Sequence, residues 1–425
     1  MSAPLRFAAL GLLALGIHMA GCLDVDGAVD RFCQANPVTC QDPAPAEDGG
    51  GEPDASVDGG DKPDGGTDAG PDGGPLETEP PGWKPVPPMQ TRRMGHTATV
   101  LNDGRVLVVG GSSNGFSPTR STELYTLSTN SWSDGGVLTT ARMDHTATLL
   151  GDGKVVVVGG RGPSGSALSN AEVYDPETRA WTQYESIDLG ARASHAAVRL
   201  PSGKVLVAGG GTSSSDGLNT SALYDPDSHT WTNAGNLNVG RSALTLTLLD
   251  EDMVMAIGGF NQNGAQTTAE LYDSSQPDAG WRPLFARMKN GRNGHAATLL
   301  PSGEVLVTGS RVGSPGWVIS SVERYDWETA AWIPQEDMKH ARFVHTATAL
   351  PSGDVLVTGG YSSTDYTAPR DSAELLRPDG GRELIAPMAA ARAYHTATWL
   401  DAGGVLIIGG DSDGGVLNTA ERYVP

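Results

Sequence analysis

The chain has 425 residues, 19% of them charged and 6% aromatic, and a formal net charge of −21 at pH 7. The surplus is uneven: residues 22–82 hold fifteen carboxylates against Arg31 and Lys62, a net −13, so with Arg6 at the start, residues 83–425 keep −9. An acidic chain with no basic stripe argues against nucleic acid as a partner, and its charge favours solubility instead.

Residues 1–21 carry one basic residue, Arg6, and then the apolar run Phe7–Ile17, which is too short to cross a bilayer as a helix and reads as a secretory signal. The signal ends in Met19-Ala20-Gly21-Cys22, small residues directly before a Cys. This resembles the bacterial lipobox, with Met19 where Leu is usual. The resemblance implies that Cys22 becomes the lipid-carrying first residue of an exported, envelope-anchored protein; the other reading is a signal cut nearby with Cys22 unmodified. Leu23 follows in place of the Asp that retains some lipoproteins in the inner membrane, so the outer membrane is the expected address.

Cys33 and Cys40, with six residues between them, are the remaining cysteines. A close pair in an exported chain reads as a local disulfide, and with no His nearby a metal site is the weaker reading. Residues 22–40 form a short Cys-containing segment. Residues 41–82 are built from Asp, Gly, Pro and Ala, with eight Asp, four Glu and one Lys. Low hydrophobicity with high like charge predicts a disordered tether. Its Asp-Gly spacing does not match a calcium-binding loop.

From Trp83 onward a block of about fifty residues returns seven times. Its best-kept part is Arg-x-x-His-x-Ala-x, a short gap, then four apolar residues and Gly-Gly, as in Arg142 to Thr148 with Val155 to Gly160. The arginines are Arg93, Arg142, Arg192, Arg241, Arg292, Arg342 and Arg392, spaced by 49, 50, 49, 51, 50 and 50 residues. A regular repeat of this length is one supersecondary unit stacked on its neighbours. Each block reads as four strands. The His-Thr-Ala-Thr run is followed by a tight Gly turn, the apolar run stopped by two glycines, an Ala-Glu-x-Tyr segment and a Trp segment. Four apolar residues in a row suit a strand covered on both faces.

Tyr and Trp keep a seven-residue interval at Tyr125 and Trp132, Tyr174 and Trp181, Tyr224 and Trp231, and Tyr325 and Trp332, while Tyr272 and Trp281 stretch it by two. Double Gly with spaced Tyr and Trp at this period resembles the kelch repeat. The resemblance covers residues 83–425 and implies an all-β, seven-bladed β-propeller with four antiparallel strands per blade. The last block stops at Tyr423-Val424-Pro425 without a Trp segment, and Trp83 lies ten residues before Arg93, as Trp132 does before Arg142. The N-terminal segment around Trp83 is therefore expected to supply the missing outer strand and close the ring.

Six blocks repeat a histidine: His96, His145, His195, His295, His345 and His395. Leu244 takes the slot in the fourth. A residue recurring once per blade reads as a packing part, so no metal and no cofactor are expected. Arg and Glu recur at the same end of each blade, which predicts an ion pair. Ala222 occupies the Glu slot of the third block, and two readings stay open: an acidic ligand group docks on Arg192 or Arg241 beside Phe260 and Asn261, or water fills the gap. The face with long, unlike loops is the expected ligand face. It carries Phe116, Arg161, Arg311, Trp317, Tyr361, Asp365, Tyr366 and Asp411, of which Arg161, Arg311, Trp317, Tyr361 and Tyr366 join the candidate binding residues.

Two functions fit. The first is a monomeric, non-catalytic binding module tethered to the envelope that presents its loop face to a protein or glycan. The alternative is a carbohydrate-active propeller enzyme, since the kelch resemblance extends to copper-radical sugar oxidases and sugar mutarotases. The oxidases need a Cys bonded to a Tyr in the propeller, and residues 83–425 contain no Cys. Replacing Cys22 with Ser should release the protein from the membrane fraction or leave an uncleaved precursor. Fractionation and gel migration identical to the parent would refute lipid attachment at Cys22.

Overall fold

The computed structural model describes residues 79–425 apart from 185–189, 214–215, 250–251, 314–315 and 402. The signal, Cys22, Cys33, Cys40 and residues 41–78 of the tether lie outside the described residues.

Seven four-stranded antiparallel sheets follow one another along the chain. Blades 1 to 6 span residues 97–137, 146–184, 196–236, 245–283, 296–335 and 346–385. Blade 7 takes three strands from residues 396–424 and its fourth from Gly82–Val86. Blade 2 shows the pattern, with Thr146–Leu149, Val155–Val158, Ala171–Asp175 and Ala180–Tyr184 bonded in that order. First strands touch the first strands of both neighbouring blades, blade 7 against blade 1 included, so they form the inner wall of a closed ring. Second strands are buried throughout, as four consecutive valines in blade 2 require when neighbouring sheets cover both faces. The second Gly of each pair then lets one loop pass close to another: a Cβ on Gly160 (φ 97°) would stand 2.7 Å from the Met143 carbonyl oxygen.

The core is divided into interblade layers. Tyr174 and Trp181 of blade 2, for example, pack on Leu101, Leu107 and Leu124 of blade 1. The Tyr and Trp ring centres lie 5.0 to 5.3 Å apart in blades 1 to 5 and 7. In blade 4 the two extra residues between Tyr272 and Trp281 are taken up by a short 3-10 turn at Pro277–Ala279. Blade 6 has Leu376 paired with Arg382 at these positions.

Closure follows the expected register. Gly82–Val86 pairs antiparallel with the last strand, Trp83 opposite Tyr423, and the indole N–H donates to the Ala386 carbonyl at 2.6 Å. Glu79 already pairs with Arg422 at 2.5 Å, so the tether expected to run to Gly82 ends earlier. Trp83→Ala should cost roughly 2 kcal/mol, below the value for a fully buried Trp because the ring is half-exposed, and deletion of residues 81–90 should cost more. An unchanged melting temperature in the deletion would contradict this closure.

Candidate functional site

Each blade hangs its loops from a buried arginine. Arg142 donates from Nη1 to the Gly159 carbonyl at 2.6 Å and from Nη2 to Glu172 at 2.7 Å. The Glu172 carboxylate also accepts the Thr139 and Thr140 backbone N–H groups at 2.6 and 2.9 Å. One guanidinium thus joins the start of the first strand, the end of the second and the third. The ion pair recurs at 2.6 to 2.8 Å in Arg93 with Glu123, Arg241 with Glu270, Arg292 with Glu323, Arg342 with Glu374 and Arg392 with Glu421.

Two expectations are corrected here. Arg241 pairs with the Glu of its own blade, so it is not left without a carboxylate by Ala222. Arg192 donates to the Gly209 carbonyl at 3.0 Å, the Thr220 carbonyl at 3.2 Å and the Thr220 hydroxyl at 2.9 Å, and burial pushes its guanidinium down to about 10. Both arginines are 0% exposed, so neither is presented to a docking ligand.

The histidines are joints between blades. The Nε2 of His145 sits 3.0 Å from the Thr97 hydroxyl of blade 1, and His195, His295, His395 and His96 meet Thr146, Thr245, Thr346 and Thr396 of the preceding blade at 2.9 to 3.2 Å. Blade 5 has Ala296 at this position, and Thr308 on the strand beside it supplies the hydroxyl to His345 at 2.8 Å. Blade 3 has Ala196 opposite Ala208, with no hydroxyl on either, and there the partner is Leu244, packed in an apolar cluster with both. Among the described residues no three His, Cys, Asp or Glu side chains converge as a metal site.

The residue before each of these slots builds the mouth of the ring. Gly95, Asp144, Ser194, Ala243, Gly294, Val344 and Tyr394 all adopt left-handed φ angles, between 47° and 64°. Their backbones bond head to tail around the axis: Asp144 N–H to Gly95 O at 2.9 Å, Ser194 to Asp144 at 3.0 Å, Ala243 to Ser194 at 2.8 Å, Val344 to Gly294 at 2.6 Å, Tyr394 to Val344 at 3.2 Å and Gly95 to Tyr394 at 3.3 Å. Left-handed Val, Tyr and Asp are costly, and such strain gathers where function over-determines the backbone.

Above this belt lies a depression of about 820 Å³ walled by blades 2 to 6, with Asp144, Arg161, Phe260, Asn293, Arg311 and Tyr366 among its residues. Arg161 Nε stands 3.9 Å from Asp144. Burial raises the Asp144 carboxyl above its ordinary range, with Arg161 opposing. The Arg311 guanidinium lies over the Tyr366 ring at 5.6 Å and its Nη1 donates to the Tyr366 hydroxyl at 3.1 Å. Tyr361 supports Tyr366 from below: it is buried, packs against Phe343, Tyr366 and Tyr394, and donates its hydroxyl proton to Asp411.

Residues 75–259 and 145–360 match the KLHDC2/KLHL20/DRC7 Kelch-repeats domain. The chain belongs to the kelch-repeat family. Among solved structures, the kelch propeller is similar to a fungal alcohol oxidase of the AA5 family in complex with copper, at 20% identity and TM-score 0.66, covering 81% of this chain and 76% of that one. It is also similar to YjhT, at 15% identity and TM-score 0.55, covering 71% of this chain and 99% of that one. Both likenesses concern the fold. No curated protein sequence matches the chain.

The kelch propeller brings four of the expected binding residues together in the depression: Arg161, Phe260, Arg311 and Tyr366. Asn261 is spent on local structure, its amide N–H donating to Gly240 O at 2.7 Å in the segment leading into the blade and its oxygen accepting from Asn263 and Gln266 within its hairpin. Tyr361 is a buried support. Trp317 and Phe116 are exposed at 60% and 86% but lie outside the depression, on loop tips. Asp365 accepts from Ser363 and Thr367 within its loop. Sequence reasoning missed Asp144, Ser194 and Asn293. A signal existed for the first two: between an invariant Arg and a near-invariant His, the residue before the His differs in almost every copy.

Burial first, then the nearby guanidinium groups, hold His96, His195 and His295 at about 3 and keep His145, His345 and His395 well below the usual range. Below pH 6.5 the unfolded chain takes up protons that the folded one refuses. Stability should therefore be full above about pH 6.5 and fall as pH drops toward 3, each buried histidine adding to the slope. Thermal melts from pH 7.5 to 4.5 measure the slope. The pair Thr146→Ala and His195→Leu, copying the apolar joint at Leu244, should make it shallower; equal slopes would contradict the assignment.

Proposed function

We propose that the kelch propeller is a non-catalytic binding module, held at the cell envelope by a lipid on Cys22, which takes a glycan or protein group into the central depression of its loop face. The observation that carries this reading is the convergence of Arg161, Arg311, Phe260 and Tyr366 from four blades on one open volume of about 820 Å³. Aromatic faces offer apolar contact with a polar edge, and guanidinium groups offer directed hydrogen bonds. The size lies within the range of small-ligand pockets, roughly 300–1,000 Å³. The constant residues of the repeat are consumed by the scaffold, and the varied ones face the opening, as expected for a rigid frame with a ligand-specific rim.

A glycan array probed with the Cys22→Ser chain should yield a ligand. Arg161→Ala, Arg311→Ala and Tyr366→Ala should each weaken it by about tenfold or more, whereas Phe116→Ala and Trp317→Ala should leave it within about twofold. Loss confined to the loop-tip variants would move the site out of the depression. Accelerated mutarotation of a monosaccharide, abolished by Asp144→Asn, would replace binding with catalysis.

A further inference from the structure

In six blades a Tyr and a Trp fill the layer against the preceding blade; blade 6 has neither. Leu376 stands where Tyr174 stands in blade 2, opposite the first residue of the second strand, and Arg382 takes the Trp position beside it. Arg382 replaces only the hydrogen bond that the indole makes at Trp83 and Trp132. Its Nε donates to the Glu336 carbonyl at 2.9 Å, four residues past Trp332. Trp83 reaches Ala386, four past Arg382, at 2.6 Å, and Trp132 reaches Pro87, four past Trp83, at 2.7 Å.

The ring volume is not replaced. A cavity of about 380 Å³ opens between blades 5 and 6, lined by Leu300, Leu306, Arg324, Val355, Leu376 and Arg382. Leu300, Leu306 and Arg324 hold the positions of Leu101, Leu107 and Leu124, the residues that bed Tyr174. Leu306 is 6% exposed, while its counterparts Leu107, Val156 and Leu206 are at 0%, so the layer is open at this joint. Arg324 pairs with Glu304 through Nη1, and its buried Nε–H has no acceptor.

We propose that this interblade cavity binds a small neutral phenol. Its ring takes the volume that a tyrosine ring fills in the other six layers, and its oxygen accepts from Arg324 Nε. The repeat itself supplies the measure of fit, because an equivalent wall, with Leu124 at the position of Arg324, is moulded around the Tyr174 phenol ring. A layer lacking its aromatic side chains has lost dispersion contacts that a matching ligand restores. Pro301, Ser302 and Gly353, at the short turns, border the cavity, which puts it on the side away from the loop-face depression.

The probe is 4-methylphenol, titrated into the methyl-labelled full chain and followed by NMR. Saturable shifts are expected at the Leu300, Leu306, Val355 and Leu376 methyls, with Ala193 and Ala243 in the depression unmoved. Leu376→Tyr, and Leu376→Tyr with Arg382→Trp, restore what six blades carry and should raise the melting temperature while weakening binding by about tenfold or more. No saturable shift in the parent up to roughly 10 mM would overturn the proposal. So would equal affinity in the folded, filled variants. The titration of the parent decides the matter even if a variant does not fold.

Discussion

A guanidinium buried at the loop-face end of every blade governs the geometry of this propeller. It has no access to water, so its charge and N–H groups must be met from within. Arg142 meets them with a carbonyl at the end of the second strand and a carboxylate on the third, and that carboxylate in turn gathers two backbone N–H groups from the segment leading into the blade. Removing one partner of such a buried pair typically costs about 3–5 kcal/mol. The clamp locks the ends of the strands while leaving the loops between them free to vary, and the residues that line the central depression are mounted on those loops. Blade 3 keeps the arginine with Ala222 in the carboxylate position and meets it with Gly209 and Thr220 instead.

The joints between blades follow a similar rule, and their exceptions are instructive. A His is kept where a hydroxyl is present to meet it. Where Ala196 and Ala208 offer none, the His becomes Leu244, and where Ala296 offers none, Thr308 does. Both changes conserve satisfied polar groups or remove them in pairs, which is the inexpensive route in a dry interface. The Tyr and Trp layer of blade 6 breaks this rule. Arg382 restores a hydrogen bond but not a volume, and the layer opens.

The depression differs in charge balance from the rest of the ring. Residues 83–425 carry −9 overall, yet the depression has two guanidinium groups and one carboxylate among its lining residues. The local balance is therefore opposite in sign to that of the whole ring.

The order of strands, the seven blades, the Trp83 closure, the packing of the repeated His between blades and the recurring Arg–Glu ion pair were legible in the sequence, whereas the full burial of Arg192 and Arg241, expected to meet a ligand, was not. A repeat states the same packing demand seven times, and a demand of that kind concerns neighbours near in sequence and register. The candidate site was half legible. Loop residues that do not recur could be named, but whether one faces the axis, as Arg311 and Tyr366 do, or is spent on local structure, as Asn261 is, depends on contacts between loops about fifty residues apart. Asp144 joins the site together with Ser194 and Ala243, three residues of the left-handed belt that line the depression. The cavity beside Leu376 likewise arises from two blades together, since volume is a property of the assembled layer and no single strand encodes it.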